Sequence, residues 1–138
     1  MARVRRFSGQ LLFGGDSPPL STVTKFPRFP DSLHCARWAV VTSINPPTLT
    51  IRQLAALPDW CLVVVADRKS PSKVDYGMPS IVYLTPEDQE RLPYRIAHHL
   101  PWNHFGRKNI GYLYAIHHGA QVIYDTDDDN ELIVGPDG

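Results

Sequence analysis

The sequence predicts an α/β fold, a mostly parallel sheet with flanking helices, and three observations carry that expectation. Short apolar runs rich in β-branched residues recur along the chain, segments with helical spacing separate them, and proline, glycine and asparagine mark the joints. Continuous apolar runs suit strands buried on both faces, and strands alternating with helices suit a parallel sheet.

The 138 residues are enough for one modest domain. Residues 1 to 34 read as a Pro/Gly-rich, partly irregular lead-in: Ser17-Pro18-Pro19 and Phe26-Pro27-Arg28-Phe29-Pro30 favour extended backbone. Phe26 and Phe29 are expected to pin it. The regular pattern occupies residues 35 to 138. Trp38 to Ile44 is a buried strand, broken by Asn45-Pro46-Pro47. Thr50 is expected to cap a short helix, with Gln53 at the capping-box position and Ile51, Leu54 and Ala55 facing inward. Cys61 to Ala66 is a second strand, followed at once by Asp67, and Ser80 to Leu84 is a third. Thr85-Pro86 opens a helix whose positive end suits Glu87 and Asp88. A further helix runs from about Lys108 to His118, with Ile110, Leu113, Tyr114 and His117 on one face and a small-residue strip at Gly111 and Ala115. Gly119 closes it in the left-handed conformation, and Gln121 to Tyr124 is the fourth strand.

Net charge is zero, so no strong field draws the chain to nucleic acid or an anionic membrane. No apolar run approaches a bilayer span, and the start lacks the apolar core of a signal peptide. Two cysteines are too few for a disulfide framework, and Cys61 reads as a small buried hydrophobe. The turn-like end at Val134 to Gly138 reads as that of a fragment.

Chemistry concentrates in Asp125-Thr126-Asp127-Asp128-Asp129-Asn130, directly after the fourth strand. Four carboxylates in five residues repel one another, and a hard divalent cation, Mg²⁺ or Mn²⁺, is their natural partner. A solvated acidic loop is the plain alternative. A calcium helix-loop-helix fails, because its glycine and glutamate positions hold Asn130 and Pro136. The Asp-x-Asp of a haloacid-dehalogenase-like phosphatase is matched in its first half only, after the wrong strand. Arg107 and Lys108 at a helix start suit a phosphate contact or plain solvation. Asp67 suits a base N–H or a turn. His98, His99, His104, His117 and His118 lack zinc-ligand spacing; His117 is expected at the sheet and His118 in solvent. Asn45, Asp67 and the acidic run all fall at carboxyl ends of strands, where open parallel sheets bind ligands.

The order Arg107-Lys108-Asn109-Ile110-Gly111, a helix, Gly119, a strand and Asp-Thr-Asp-Asp-Asp resembles nucleotide-sugar glycosyltransferases of the GT-A fold. Together with Trp38 to Thr48, Val64 to Pro71 and Leu100 to Ala115, it resembles the STELLO glycosyltransferase family over about residues 35 to 130. The resemblance implies the N-terminal, nucleotide-sugar-binding half of a GT-A domain. It implies that Asp125, Asp127, Asp128 and Asp129 hold Mn²⁺ or Mg²⁺ against a donor diphosphate. Asp67 would contact the base, Thr42, Ser43 and Asn45 would line the nucleotide pocket, and Arg107 or Lys108 would face the phosphates. It further implies a Golgi membrane location for full-length members and association with other glycosyltransferases. It assigns no catalytic base. Two other readings stand beside transfer: a non-catalytic scaffold for membrane glycosyltransferases, and the phosphatase.

Overall fold

The computed structural model describes residues 3–6, 33–78, 80–133 and 135, and the expected pins Phe26 and Phe29 lie outside them. The elements in chain order are β1 (Arg3–Arg6), β2 (Arg37–Ser43), α1 (Leu49–Ala55), β3 (Cys61–Ala66), β4 (Ile81–Leu84), α2 (Pro86–Arg91), α3 (Lys108–His117) and β5 (Val122–Asp125). Short 3₁₀ turns stand at Arg95–His98 and Phe105–Arg107. The sheet order is β1-β5-β2-β3-β4. β5, β2, β3 and β4 run parallel, as the alternation of strands and helices predicts, and β1 pairs antiparallel to β5.

β1 was not expected from the sequence. Arg3-Val4-Arg5-Arg6 shows no alternation, and its strand state comes from the partner it finds, Arg3 opposite Asp125 and Arg6 opposite Val122. The chain lays β3 and then β4 to one side of β2 and returns with β5 to the other side. The strand order therefore reverses between β2 and β5, and a crevice opens beyond their carboxyl ends.

Each central strand feeds both layers of the core. Trp38, Val40, Val63 and Val65 pack with Ile110, Tyr114 and Ala115 of α3. Ala39, Val41, Leu62 and Val64 pack with Ile51 and Leu54 of α1 and with Tyr76 and Tyr83. This is the period-two division of a strand between two covered faces. α3 lies close on the sheet because Gly111 has no side chain: a Cβ there would meet Val40 Cγ1 at 2.5 Å and Val65 Cγ2 at 2.9 Å. Gly119 ends α3 at φ 92°, as its left-handed position requires.

Three expectations need correction. The cap of α1 is Thr48, whose hydroxyl accepts from Ile51 N at 3.3 Å. Thr50 lies inside the helix, where it is buried and its hydroxyl donates to Asn130 O. His118 is half-buried, stacked on Tyr114 at 4.0 Å and edge-on to Trp38 at 6.1 Å. Cys61 is buried but forms a disulfide with Cys35, the two Cα atoms 6.1 Å apart. Register explains the bond. Cys61 is level with Trp38, and Cys35 lies three residues before Trp38, at the base of the same strand pair.

Candidate functional site

The candidate site forms where the loops after β2, β3 and β5 meet. A cavity of about 270 Å³ opens there, lined by Thr42, Ser43, Ala66, Asp67, Arg107 and Asp128 among others. Its floor is the carboxyl edge of β2 and β3.

Hydrogen bonds stitch the loops together. Ser43 Oγ and Asn45 Nδ2 both donate to Asp128 Oδ2, at 2.5 and 3.0 Å. Thr48 Oγ1 donates to Asp128 O at 2.7 Å, so the cap of α1 also fixes the acidic run. Tyr76 Oη donates to Asn45 O at 2.7 Å, and Ser70 Oγ donates to Ser43 O at 2.6 Å. Burial raises the pKa of Tyr76, Ser43 opposes that, and the Asp128 charge adds to it, so Tyr76 stays a neutral donor. Asp67 Oδ1 accepts from Arg68 N and its Oδ2 from Asn103 N, at 2.7 and 2.8 Å. The carboxylate is thereby held at the cavity wall with one lone pair per oxygen to spare.

Arg107 is buried, and the reason is Gln89. Gln89 Nε2 donates to Ala66 O and Leu84 O, the last carbonyls of β3 and β4, at 2.7 and 2.8 Å. Its Oε1 then accepts from Arg107 Nε and Nη2 at 3.0 and 2.8 Å. Arg107 Nη1 donates to Leu100 O, and the guanidinium lies 3.5 Å over the Trp102 ring. Burial lowers its pKa and the Asp67 charge opposes the fall. Arg107 thus lines the cavity while most of its donors are engaged within the protein. His104 and Phe105 stand at the mouth, stacked at 4.3 Å, with Phe105 79% exposed.

Beside the cavity, Lys108 stands among the acidic residues. Its Nζ lies 2.9 Å from Asp125 Oδ1 and 2.7 Å from Asp127 Oδ1, and donates to Thr126 O at 3.0 Å. The Asp125 contact is an ion pair on a buried carboxylate oxygen. Burial acts to lower the Lys108 pKa, but Asp127 and Asp125 outweigh it and hold the ammonium charged. Residues 131 to 138 hold no lysine or arginine that could balance the acidic run. The balancing cation precedes it, at the head of α3. Asp129 is exposed.

These residues answer the question of a divalent ion in two parts. Asp125 and Asp127 carry hard carboxylate oxygens of the kind such an ion takes. Yet no three His, Cys, Asp or Glu side chains gather around a common point among the described residues, and the point between Asp125 and Asp127 holds the Lys108 ammonium. As arranged, the side chains do not make a metal cage.

Of the sequence candidates, Thr42, Ser43, Asp67, Arg107 and Asp128 share the cavity. Asn45 borders it through Asp128, while Lys108, Asp125 and Asp127 form the adjoining ion cluster. Sequence reasoning missed Thr48, Ser70, Tyr76, Gln89, Trp102 and Asn103. Only Asn103 carried a local signal, as an asparagine in an Asn-His-Phe-Gly turn, and it adopts φ 58°.

No family model matches the chain. Two curated proteins of Arabidopsis thaliana are similar to it. The "Probable glycosyltransferase STELLO2" is 36% identical over 104 residues, which is 75% of this chain and 13% of that protein. The "Probable glycosyltransferase STELLO1" is 36% identical over 99 residues, 72% of this chain and 13% of that protein. The chain therefore spans about an eighth of the length of these relatives. Over that stretch, the chain belongs to the STELLO family.

Proposed function

We propose that the chain is the donor-binding part of a STELLO-type glycosyltransferase and that its cavity takes the nucleoside diphosphate of a nucleotide sugar. The observation that carries this reading is the cavity beyond the carboxyl ends of β2 and β3, beside the reversal of strand order between β2 and β5, with Asp128 of the acidic run in its wall. Asp67, fixed by two backbone N–H groups, is suited to accept from a base N–H. Thr42 and Ser43 would wall the nucleotide. Lys108 is the cation nearest the acidic run and the candidate for a phosphate contact. Four carboxylates set against one ammonium leave the rim negative, so a diphosphate needs further positive charge there.

Dependence on Mn²⁺ or Mg²⁺ is the finer part of this proposal, and it hinges on Lys108, which already stands between two of the carboxylates. Transfer itself, its acceptor, a Golgi membrane address and association with other glycosyltransferases belong to the whole protein and are proposals carried by the family. Among the described residues no helix is long and apolar enough to cross a membrane. One observation favours the scaffold reading. Lys108, Asp128 and Arg107 are engaged with partners inside the chain, as they would be in a domain that binds no donor.

Calorimetry decides between the two. Uridine and guanosine diphospho-sugars are titrated into the folded chain, with and without Mn²⁺, and into Asp67→Asn. The donor reading expects saturable binding that weakens about tenfold in Asp67→Asn, the cost of one charge-assisted hydrogen bond. Absence of binding under every condition, in a sample with native circular dichroism, sinks it in favour of the scaffold.

A further inference from the structure

Asp67 lines the cavity together with Arg107, and Arg68 is its neighbour in the chain, yet neither guanidinium pairs with it. Both lie over the Trp102 ring instead, at 4.6 Å for Arg68 and 3.5 Å for Arg107. Among the described residues, no lysine or arginine forms an ion pair with Asp67. Its partners are backbone groups: Oδ1 accepts from Arg68 N and Oδ2 from Asn103 N, at 2.7 and 2.8 Å. Its own N–H donates to Ser70 Oγ at 2.7 Å, so main chain and side chain are both fixed.

One N–H on each oxygen stops the carboxylate from turning and leaves each oxygen a lone pair. A carboxylate so held recognises two donors side by side, as in the fork of a guanidinium. Among the nucleobases, guanine carries that fork on its pairing edge, N1–H beside the N2 amine. Uracil has a single N–H between two carbonyls. A bond from it to one carboxylate oxygen sets the other oxygen against a carbonyl, acceptor against acceptor. Adenine and cytosine place a ring-nitrogen acceptor beside their amine and meet the same conflict.

Phe105 supplies a flat surface close by. It lies two residues beyond Asn103, whose N–H holds Asp67, and it lines the same cavity. Its ring is stacked on His104 at 4.3 Å, and the residue is 79% exposed. Ile44, 52% exposed, lines the cavity as well. A planar base laid on such a ring gains contact area, and a two-ring purine gains more than a pyrimidine.

We propose that the cavity selects guanine: Asp67 takes N1–H and the N2 amine as a pair, and Phe105 gives the purine a face to stack on. The proposal rests on the donor-binding reading and adds the identity of the base to it.

The test is calorimetry on the unaltered chain with guanosine, inosine and uridine diphosphates, Mn²⁺ being present in every run. Inosine diphosphate differs from guanosine diphosphate only in lacking the N2 amine, so contacts to ribose and diphosphate cancel. Guanosine diphosphate is expected to bind about tenfold tighter than inosine diphosphate, the loss of one hydrogen bond to a charged acceptor. Its advantage over uridine diphosphate should be at least as large. In Asp67→Asn with native circular dichroism the difference between guanosine and inosine diphosphates should vanish. In Phe105→Ala it should persist while both weaken. Equal affinity for guanosine and inosine diphosphates, or uridine diphosphate binding as tightly as guanosine diphosphate, overturns the proposal and leaves the donor-binding reading standing. A guanosine preference that survives in Asp67→Asn overturns the role of Asp67, and unchanged affinity in Phe105→Ala overturns that of Phe105. Binding of none of the three overturns the proposal and the donor-binding reading together.

Discussion

The two ends of the sheet are built from opposite materials. At the amino end, Cys35 and Cys61 are joined covalently, Trp38 is fully buried with its indole N–H donating to Cys35 O, and Tyr114 and His118 pack against the same ring. At the carboxyl end, hydroxyls, carboxylates, a glutamine, a lysine and an arginine make the contacts. The amino end puts its side chains into holding the strands together. The carboxyl end puts them into holding loops at fixed distances from a cavity. Most substitutions at the first end should therefore be read in stability, and most at the second in ligand binding.

Gln89 is where that division should break most clearly. It lies at the carboxyl end, yet it is fully buried and joins β3, β4 and Arg107. Gln89→Leu leaves two strand-end carbonyls and part of a buried guanidinium unpaired. A loss of about 3 to 4 kcal/mol in urea unfolding is expected. A loss under about 1 kcal/mol would show that water replaces these bonds and that the carboxyl end carries little of the fold.

The disulfide tests the other end. It closes a loop across a sequence separation of 26, for which the chain-entropy account gives about 3.5 kcal/mol. Cys35→Ser with Cys61→Ser should lose about that much in urea unfolding while nucleotide-sugar affinity is unchanged. A large drop in affinity in the folded variant would mean that the two ends are coupled.

The smallest effect concerns pH. Burial lowers the pKa of His117, and the neighbouring His118 and His34 lower it further. A histidine whose folded pKa is depressed favours the folded state when neutral. Its contribution is present above the ordinary value of about 6.5 and is lost as pH falls below it, because the unfolded chain takes up the proton first. The melting temperature should fall modestly between pH 7.5 and 5.5, and less in His117→Gln. Equal slopes would remove His117 from the account.

The parallel sheet was legible because its strands are continuous apolar runs, a pattern that depends on local composition. The start of α2 was legible to the residue, since Thr85 at the cap, Pro86 at the first helical position and the acidic first turn are local signals, and Thr85 and Asp88 close a capping box there. The cap of α1 was misread for the opposite reason. Thr48 and Thr50 are equivalent by sequence, and what separates them is tertiary: the hydroxyl of Thr50 is drawn to Asn130 O, and Thr48 reaches both Ile51 N and Asp128 O. The acidic run was found because charge crowding is visible in one dimension. Its partner Lys108 lies 17 residues before Asp125, and the pairing exists only because α3 and β5 meet at the sheet. The Cys35–Cys61 bond and the β1–β5 pair were hidden likewise, by strand register that no local pattern encodes.

β5 carries the acidic run and is flanked on both sides, by β1 through Arg3 to Arg6 and by β2 through Arg37 to Val40. A strand gripped by one neighbour can slide two residues and keep its faces. A strand gripped by two, one parallel and one antiparallel, must break both ladders in the same step. Asp125 is therefore indexed from two directions, opposite Arg3 on one side and Val40 on the other. The loop that follows behaves like a tool in a clamped holder: its residues can be exchanged, lengthened or recharged in the laboratory while the strand that aims it stays where it is.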